Sequence, residues 1–230
     1  MRFVLGLVLP LMFLGTPVQA EMRECPGSAT VIVYEDHRDY VMACSATAKT
    51  IGFFRELGFL TETPMMIAMK ESVQLERGFA GEAYGQCDPA LGYIEVLSYE
   101  SHQRMKTRDQ IFGVRLNAAL HESIIVHEVA HALADIHFSV MESPGAVHEY
   151  IAYVAQIATL PEVTRRNVLR RHSVAALASE KAINVFNYAN GPQVFGVRSY
   201  KHFKQQHDYN HYLRRLFSGD SQAYQQGLDI

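Results

Sequence analysis

Residues 126–133 read Val-His-Glu-Val-Ala-His-Ala-Leu, an HExxH pattern formed by His127, Glu128 and His131 inside an apolar run rich in helix formers. Helical side chains four residues apart stack on one face. His127 and His131 can therefore offer two imidazole nitrogens to one metal ion, about 2 Å from each. Glu128 then lies beside the metal, where a carboxylate can take a proton from an activated water and return it to a leaving group. At about 100° per residue with His127 at the origin, His131 falls at about 40°, Asp135 at about 80° and Glu128 at about 100°. Val126, Val129 and Leu133 fall between about 200° and 260°, so the expected helix over residues 117–135 has one chemical face and one core face. Three ionisable groups on one face are costly to bury without a metal or partners.

The chain begins with Arg2, an apolar stretch over residues 3–14, and Val18-Gln19-Ala20 before Glu21, the pattern of a secretory signal peptide covering residues 1–20. That run is too short for a membrane span and no later segment approaches one, so no stable membrane insertion is expected after cleavage. Residues 21–230 are expected to form one exported domain, periplasmic or secreted. Residues 21–100 hold 13 acids against 6 bases, and the whole chain has a formal net charge of −3. No nucleic-acid partner is expected. The cluster of Arg165, Arg166, Arg170, Arg171 and His172 lacks interleaved aromatics and reads as a solvated helix face. Cys25, Cys44 and Cys87 allow one disulfide in an oxidising compartment. A strand followed by a returning helix favours Cys25 with Cys44 and leaves Cys87, ahead of Asp88-Pro89, as a loop thiol.

Residues 30–35 (Thr-Val-Ile-Val-Tyr-Glu) read as a strand, and residues 38–57 as a helix stopped by Gly58. Residues 65–69 and 93–99 read as further strands, the latter after a turn-forming stretch over 85–92. Helices are expected over 146–160, 162–177 and 199–217, with Asn190-Gly191-Pro192 as a loop. The order predicts an α+β fold, with a small mixed sheet and helices over about 21–135 and a helical part over about 145–230.

Two residues compete as third metal ligand. Glu149 stands at the start of the next helix, which could cross the first and point its carboxylate at the metal. His137 completes HExxHxxxxxH, similar to the metzincin spacing, in which the chain bends after the second histidine. Glycine usually makes that bend, and here Ala134 stands in its place. The methionine turn of those proteins also lacks a good counterpart, Met141 lying only four residues beyond His137.

His127-Glu128-Val129-Ala130-His131 followed by Glu149 resembles the gluzincin group of zincin metallopeptidases. The resemblance covers residues 93–161, and only its HExxH part is specific. It implies one zinc ion per chain held by His127, His131 and Glu149, Glu128 as general base, and a peptide or protein substrate. It also implies an edge strand ahead of the zinc helix that pairs with the substrate, a place that residues 93–99 could fill. Such mechanisms need a donor to the oxyanion of the tetrahedral intermediate, with Tyr153, His207, Tyr209 and His211 as candidates. Asp135 could orient a ligand imidazole, His121 could line the cleft, and His148 neighbours Glu149. The stripe Phe186, Tyr188, Phe195 and Tyr200 reads as core or cleft wall. The expected function is an exported zinc metallopeptidase. Its alternatives are a non-catalytic zinc protein and an envelope accessory protein that binds peptides without cutting them.

Overall fold

The computed structural model describes residues 19–74, 83–105, 109–140 and 143–225. The expected signal peptide therefore lies almost wholly outside the described residues, as does Met141. Among the described residues no helix is long and apolar enough to cross a membrane.

Strand β1 (Glu21–Glu24) pairs antiparallel with β2 (Thr30–Tyr34), whose Thr30, Ile32 and Tyr34 are buried. Helix α1 (His37–Glu56) starts at Asp36, whose side chain accepts the Arg38 N–H, and stops before Gly58 at φ +76°. It carries the chain back to β3 (Met65–Lys70), parallel to β2, the crossover that parallel pairing requires. Cys25 and Cys44 form the expected disulfide, tying the end of β1 to α1. Its 19-residue separation makes it worth roughly 3 kcal/mol in the chain-entropy account.

β4 (Gly85–Asp88) and β5 (Tyr93–Leu97) are antiparallel to each other, and β5 adds parallel to β3. The sheet order is β1-β2-β3-β5-β4. This corrects two expectations. Residues 93–97 form an interior strand, and the edge is β4, half of the stretch read as a turn. Cys87 accordingly sits on that edge strand rather than in a loop. A strand written Gly-Gln-Cys-Asp carries little β propensity of its own and is held by its partner.

After α2 (Tyr99–Arg104), the strands β6 (Gln110–Ile111) and β7 (Val114–Arg115) form a small hairpin that the sequence reading did not anticipate. Helices then follow: α3 (Ala118–Asp135), α4 (Gly145–Ala158), α5 (Glu162–Arg171), α6 (Val185–Ala189), α7 (Pro192–Phe203) and α8 (Tyr209–Ser218). Short 3-10 turns cover Glu180–Ala182 and Gln222–Tyr224. The fold is α+β. The single helix expected over 199–217 is two, because Asp208 accepts the His211 N–H and caps a new helix.

α3 begins at Asn117, whose side chain accepts the Leu120 N–H. It packs against α1, α4, β4 and β5, and its residues are buried on most of its circumference, from His121 and Ile125 to Glu128 and Ala132. A helix enclosed in this way needs small or apolar residues all round. Its HExxH face is partly covered by α4 and otherwise lines a cleft, while Val126, Val129 and Leu133 are buried as the core face. Burial of Ile125, Val129 and Leu133 contributes roughly 1.5–3 kcal/mol each and fixes the rotation of α3 about its axis.

Candidate metal centre and cleft

Because α4 crosses α3, the carboxylate of Glu149 comes down onto the two histidines. His127 Nε2 lies 3.2 Å from His131 Nε2. Glu149 Oε2 is 3.4 Å from His127 Nε2, and Oε1 is 3.7 Å from His131 Nε2. One ligand atom from each residue lies within 4.8 Å of the others. Donors about 2.0–2.1 Å from a tetrahedral ion are spaced about 3.3–3.4 Å apart, so the three side chains could hold one metal ion. Among the described residues Glu149 Oε2 is buried and, beyond the His127 ring 3.4 Å away, makes no hydrogen bond that meets normal geometry, so a bound cation would satisfy it better.

A second layer orients the histidines. Gln156 Oε1 lies 3.2 Å from His127 Nδ1, and Gln156 Nε2 donates to Ser123 Oγ at 3.2 Å. Ser123 Oγ in turn donates to the Leu120 carbonyl at 2.7 Å. With its amide orientation set by Ser123, Gln156 can accept the Nδ1 proton, which would leave His127 Nε2 free to ligate a metal ion. Glu149, Tyr153 and Gln156 share one face of α4 at spacings of four and seven. The Tyr153 ring stands edge-on to His127 at 4.5 Å, and α7 closes behind it at Gly196, where a Cβ would stand 2.5 Å from the Tyr153 ring.

Burial raises the Glu128 carboxyl to about 7; the Glu149 charge adds to this and His127 opposes it. Burial lowers His131 to about 3. For His127 burial also acts downward, but Glu149, Glu128 and Gln156 together outweigh it and the net shift is upward. Burial pushes Glu149 up, yet His127, His131 and the Tyr188 hydroxyl together bring it below the usual range. Glu128 is 7% exposed and lies against Gly85 of β4, where a Cβ would come within 2.8 Å of Glu128 Cγ. Glycine is thus what lets the edge strand approach this carboxylate.

These residues floor a cleft of about 860 Å3. Gly85, Gln86 and Cys87 of β4 line it, as do Phe112, Tyr188 and Val194. Burial raises the Cys87 thiol well above its ordinary value, so it stays protonated and is no nucleophile.

Several expected site residues lie elsewhere. His137 does not join the cluster: α3 ends at Asp135 without bending toward it, and His137 Nε2 sits 2.9 Å from the Leu60 carbonyl among Phe54, Phe59 and Phe217. His207 and His211 are exposed at the start of α8, and Tyr209 stacks on Phe203; none of the three lines the cleft. The break before α8 carries them away. Asp135 makes no hydrogen bond to His131 and acts by charge on His148 and Cys87. His148 lines the cleft with its ring 6.4 Å from that of His131, and His121 is fully buried with Nδ1 3.0 Å from His102 Nδ1. Gln156, Gly85 and Phe112 were not singled out from sequence for these places, whereas Tyr188, read as core or cleft wall, does line the cleft. Only Gln156 had a usable signal, its helical spacing from Glu149.

A family model described as a family of unknown function (DUF6639) matches residues 31–226. No curated protein and no solved structure matches the chain.

Proposed function

The chain belongs to the family of unknown function DUF6639, and we propose from its cleft that it is an exported zinc-dependent metallopeptidase. One observation carries this reading: three metal-capable donors face an open cleft, with a buried carboxylate beside them. Structural zinc sites are closed by four protein ligands, whereas catalytic ones have three and a free position. The Cys25–Cys44 disulfide supports an oxidising compartment.

His127, His131 and Glu149 would hold the zinc, which when bound supplies Lewis-acid polarisation of a carbonyl and acidification of water. Gln156 keeps His127 in the tautomer that can ligate. Glu128, whose burial makes it basic enough to accept a proton near neutral pH, takes one from the attacking water and hands it to the departing amine. Tyr153 and Tyr188 both line the cleft with hydroxyls that stay protonated, because burial pushes each above its ordinary value. Tyr153 can donate to the developing oxyanion, whereas the Tyr188 proton is engaged by Glu149. The outer edge of β4 has no strand partner among the described residues, so an extended peptide can pair with it across the cleft from α4.

The test is zinc content and peptide-library digestion for the parent, Glu149→Ala and Glu128→Gln. The expected result is about one zinc in the parent and in Glu128→Gln, none in Glu149→Ala, and a loss of roughly 100-fold or more in turnover for Glu128→Gln. Full turnover by Glu128→Gln would sink the mechanism. A zinc-loaded parent that cuts nothing would favour a non-catalytic zinc protein.

A further inference from the structure

Helix α6 is a single five-residue turn that buries none of its residues, and its Val185 and Phe186 are 72% and 73% exposed. Such a segment adds little to the core. Its backbone is nevertheless held by three asparagine side chains. Asn184 Oδ1 accepts the Asn187 N–H at 2.8 Å, Asn187 Nδ2 donates to the Ala182 carbonyl at 2.9 Å, and Asn190 Nδ2 donates to the Phe186 carbonyl at 2.9 Å. The turn rests against α4 and α7. What it brings to those helices is Tyr188.

Tyr188 lines the cleft, with its ring edge-on to Phe195 of α7 at 5.8 Å. Phe195 is itself edge-on to Tyr153 at 6.5 Å, so the ring is backed by the same aromatic packing that stands behind His127. The Tyr188 hydroxyl hydrogen-bonds the Glu149 carboxylate, and because burial keeps the phenol protonated, the tyrosine is the donor. Glu149 Oε2, 3.4 Å from His127 Nε2, makes no hydrogen bond of normal geometry, which leaves Oε1 to the tyrosine. One oxygen of the carboxylate is thus taken by a neutral donor and the other is bare beside the histidines. A carboxylate tied in this way cannot turn both oxygens to one ion.

We propose that Tyr188 is a positioning residue for the metal centre: it holds one Glu149 oxygen so that the other ligates alone, and α6 serves to carry it there. The inference rests on the reading of His127, His131 and Glu149 as zinc ligands. Its consequence for the chemistry is an open coordination position, since ligation through both carboxylate oxygens would fill the place that water needs. Tyr188 therefore acts through Glu149 and not on the substrate, which separates its role from that of Tyr153.

The experiment measures zinc affinity by competition with a chromophoric chelator for the parent, Tyr188→Phe and Tyr153→Phe, beside urea unfolding of each protein without metal. Tyr188→Phe keeps the ring and removes only the hydroxyl. It is expected to weaken zinc binding by about 10–100-fold, the usual effect of losing a partner of a metal ligand, while Tyr153→Phe changes it by less than about threefold. The urea midpoint of Tyr188→Phe should stay close to that of the parent. The cobalt-loaded Tyr188→Phe protein should show weaker visible absorption than the cobalt-loaded parent, as the freed carboxylate adds its second oxygen to the ion. Asn187→Ala, which loosens α6 without touching the cleft, should give a smaller loss of zinc affinity and serves if Tyr188→Phe does not fold. Parental zinc affinity in folded Tyr188→Phe, or in Asn187→Ala where that variant stands in, overturns the inference and leaves the zinc reading intact. A parent that binds no zinc overturns both.

Discussion

Replacing Gly85 by alanine asks whether β4 sets the position of Glu128. Gly85 does not occupy a left-handed conformation, so alanine fits its backbone. The difficulty is the added carbon, which would stand 2.8 Å from Glu128 Cγ and 2.9 Å from Oε1. Carbon atoms pack at about 3.5–4.0 Å, so the glutamate must withdraw by roughly 0.7–1.2 Å. A displacement of about 1 Å at a reacting group costs on the order of 100-fold in rate, or about 2.7 kcal/mol of barrier. The nearest atoms to the new carbon all belong to Glu128, so the metal donors are untouched and zinc content should match the parent. Stability should stay within about 1 kcal/mol, since glycine-to-alanine changes at compatible positions gain about 0.4–1 kcal/mol that the strained contact offsets. The assay is kcat/KM on a peptide the parent cleaves, beside metal content and urea unfolding. Parental kcat/KM would refute the reasoning, and loss of zinc would mean that β4 supports the ligand cluster instead of the base.

Two further outcomes follow from the site. In the metal-free protein the folded pKa of Glu128 is raised to about 7, against about 4.3 in an unfolded chain. The folded state then holds this proton more tightly. Its stabilising contribution is complete below about pH 4 and is lost as pH rises through about 7. Metal-free parent should therefore weaken relative to metal-free Glu128→Gln across that window, by up to roughly 3 kcal/mol in denaturant titrations, and parallel profiles would argue against a raised carboxyl. His137→Ala should keep its zinc and lose about 1–2 kcal/mol, because His137 holds the Leu60 carbonyl and packs among three phenylalanines. Zinc loss in that variant would reinstate it as a ligand.

Much of the helical scaffold could be read from local pattern. Asp36 and Asn117 cap α1 and α3 where the residue types suggest, and Gly58 ends α1 by taking a left-handed conformation. The sheet was less legible, because strand pairing joins residues far apart in the chain. Met65–Lys70 and Tyr93–Leu97 look alike as apolar strands, and nothing within either says which neighbours it will have. Their register, Met66 beside Tyr93 and Ile67 beside Ile94, is set only when the two strands pair within a sheet that α1 covers at β2 and α3 at β5. The edge position passed to Gly85–Asp88, which has turn-like composition and becomes a strand through its pairing with β5.

By itself the sequence determined that His127 and His131 share a helix face with Glu128 beside them, because the helical period is a local property of the backbone. It also set the spacing that puts Glu149, Tyr153 and Gln156 on one stripe of α4. Only the tertiary structure decided that this stripe descends onto the histidines, that His137 turns away to Leu60, and that Gly85 of β4 comes up against Glu128. Those are questions of which distant surfaces bury each other, and burial is settled by the packing of the whole chain.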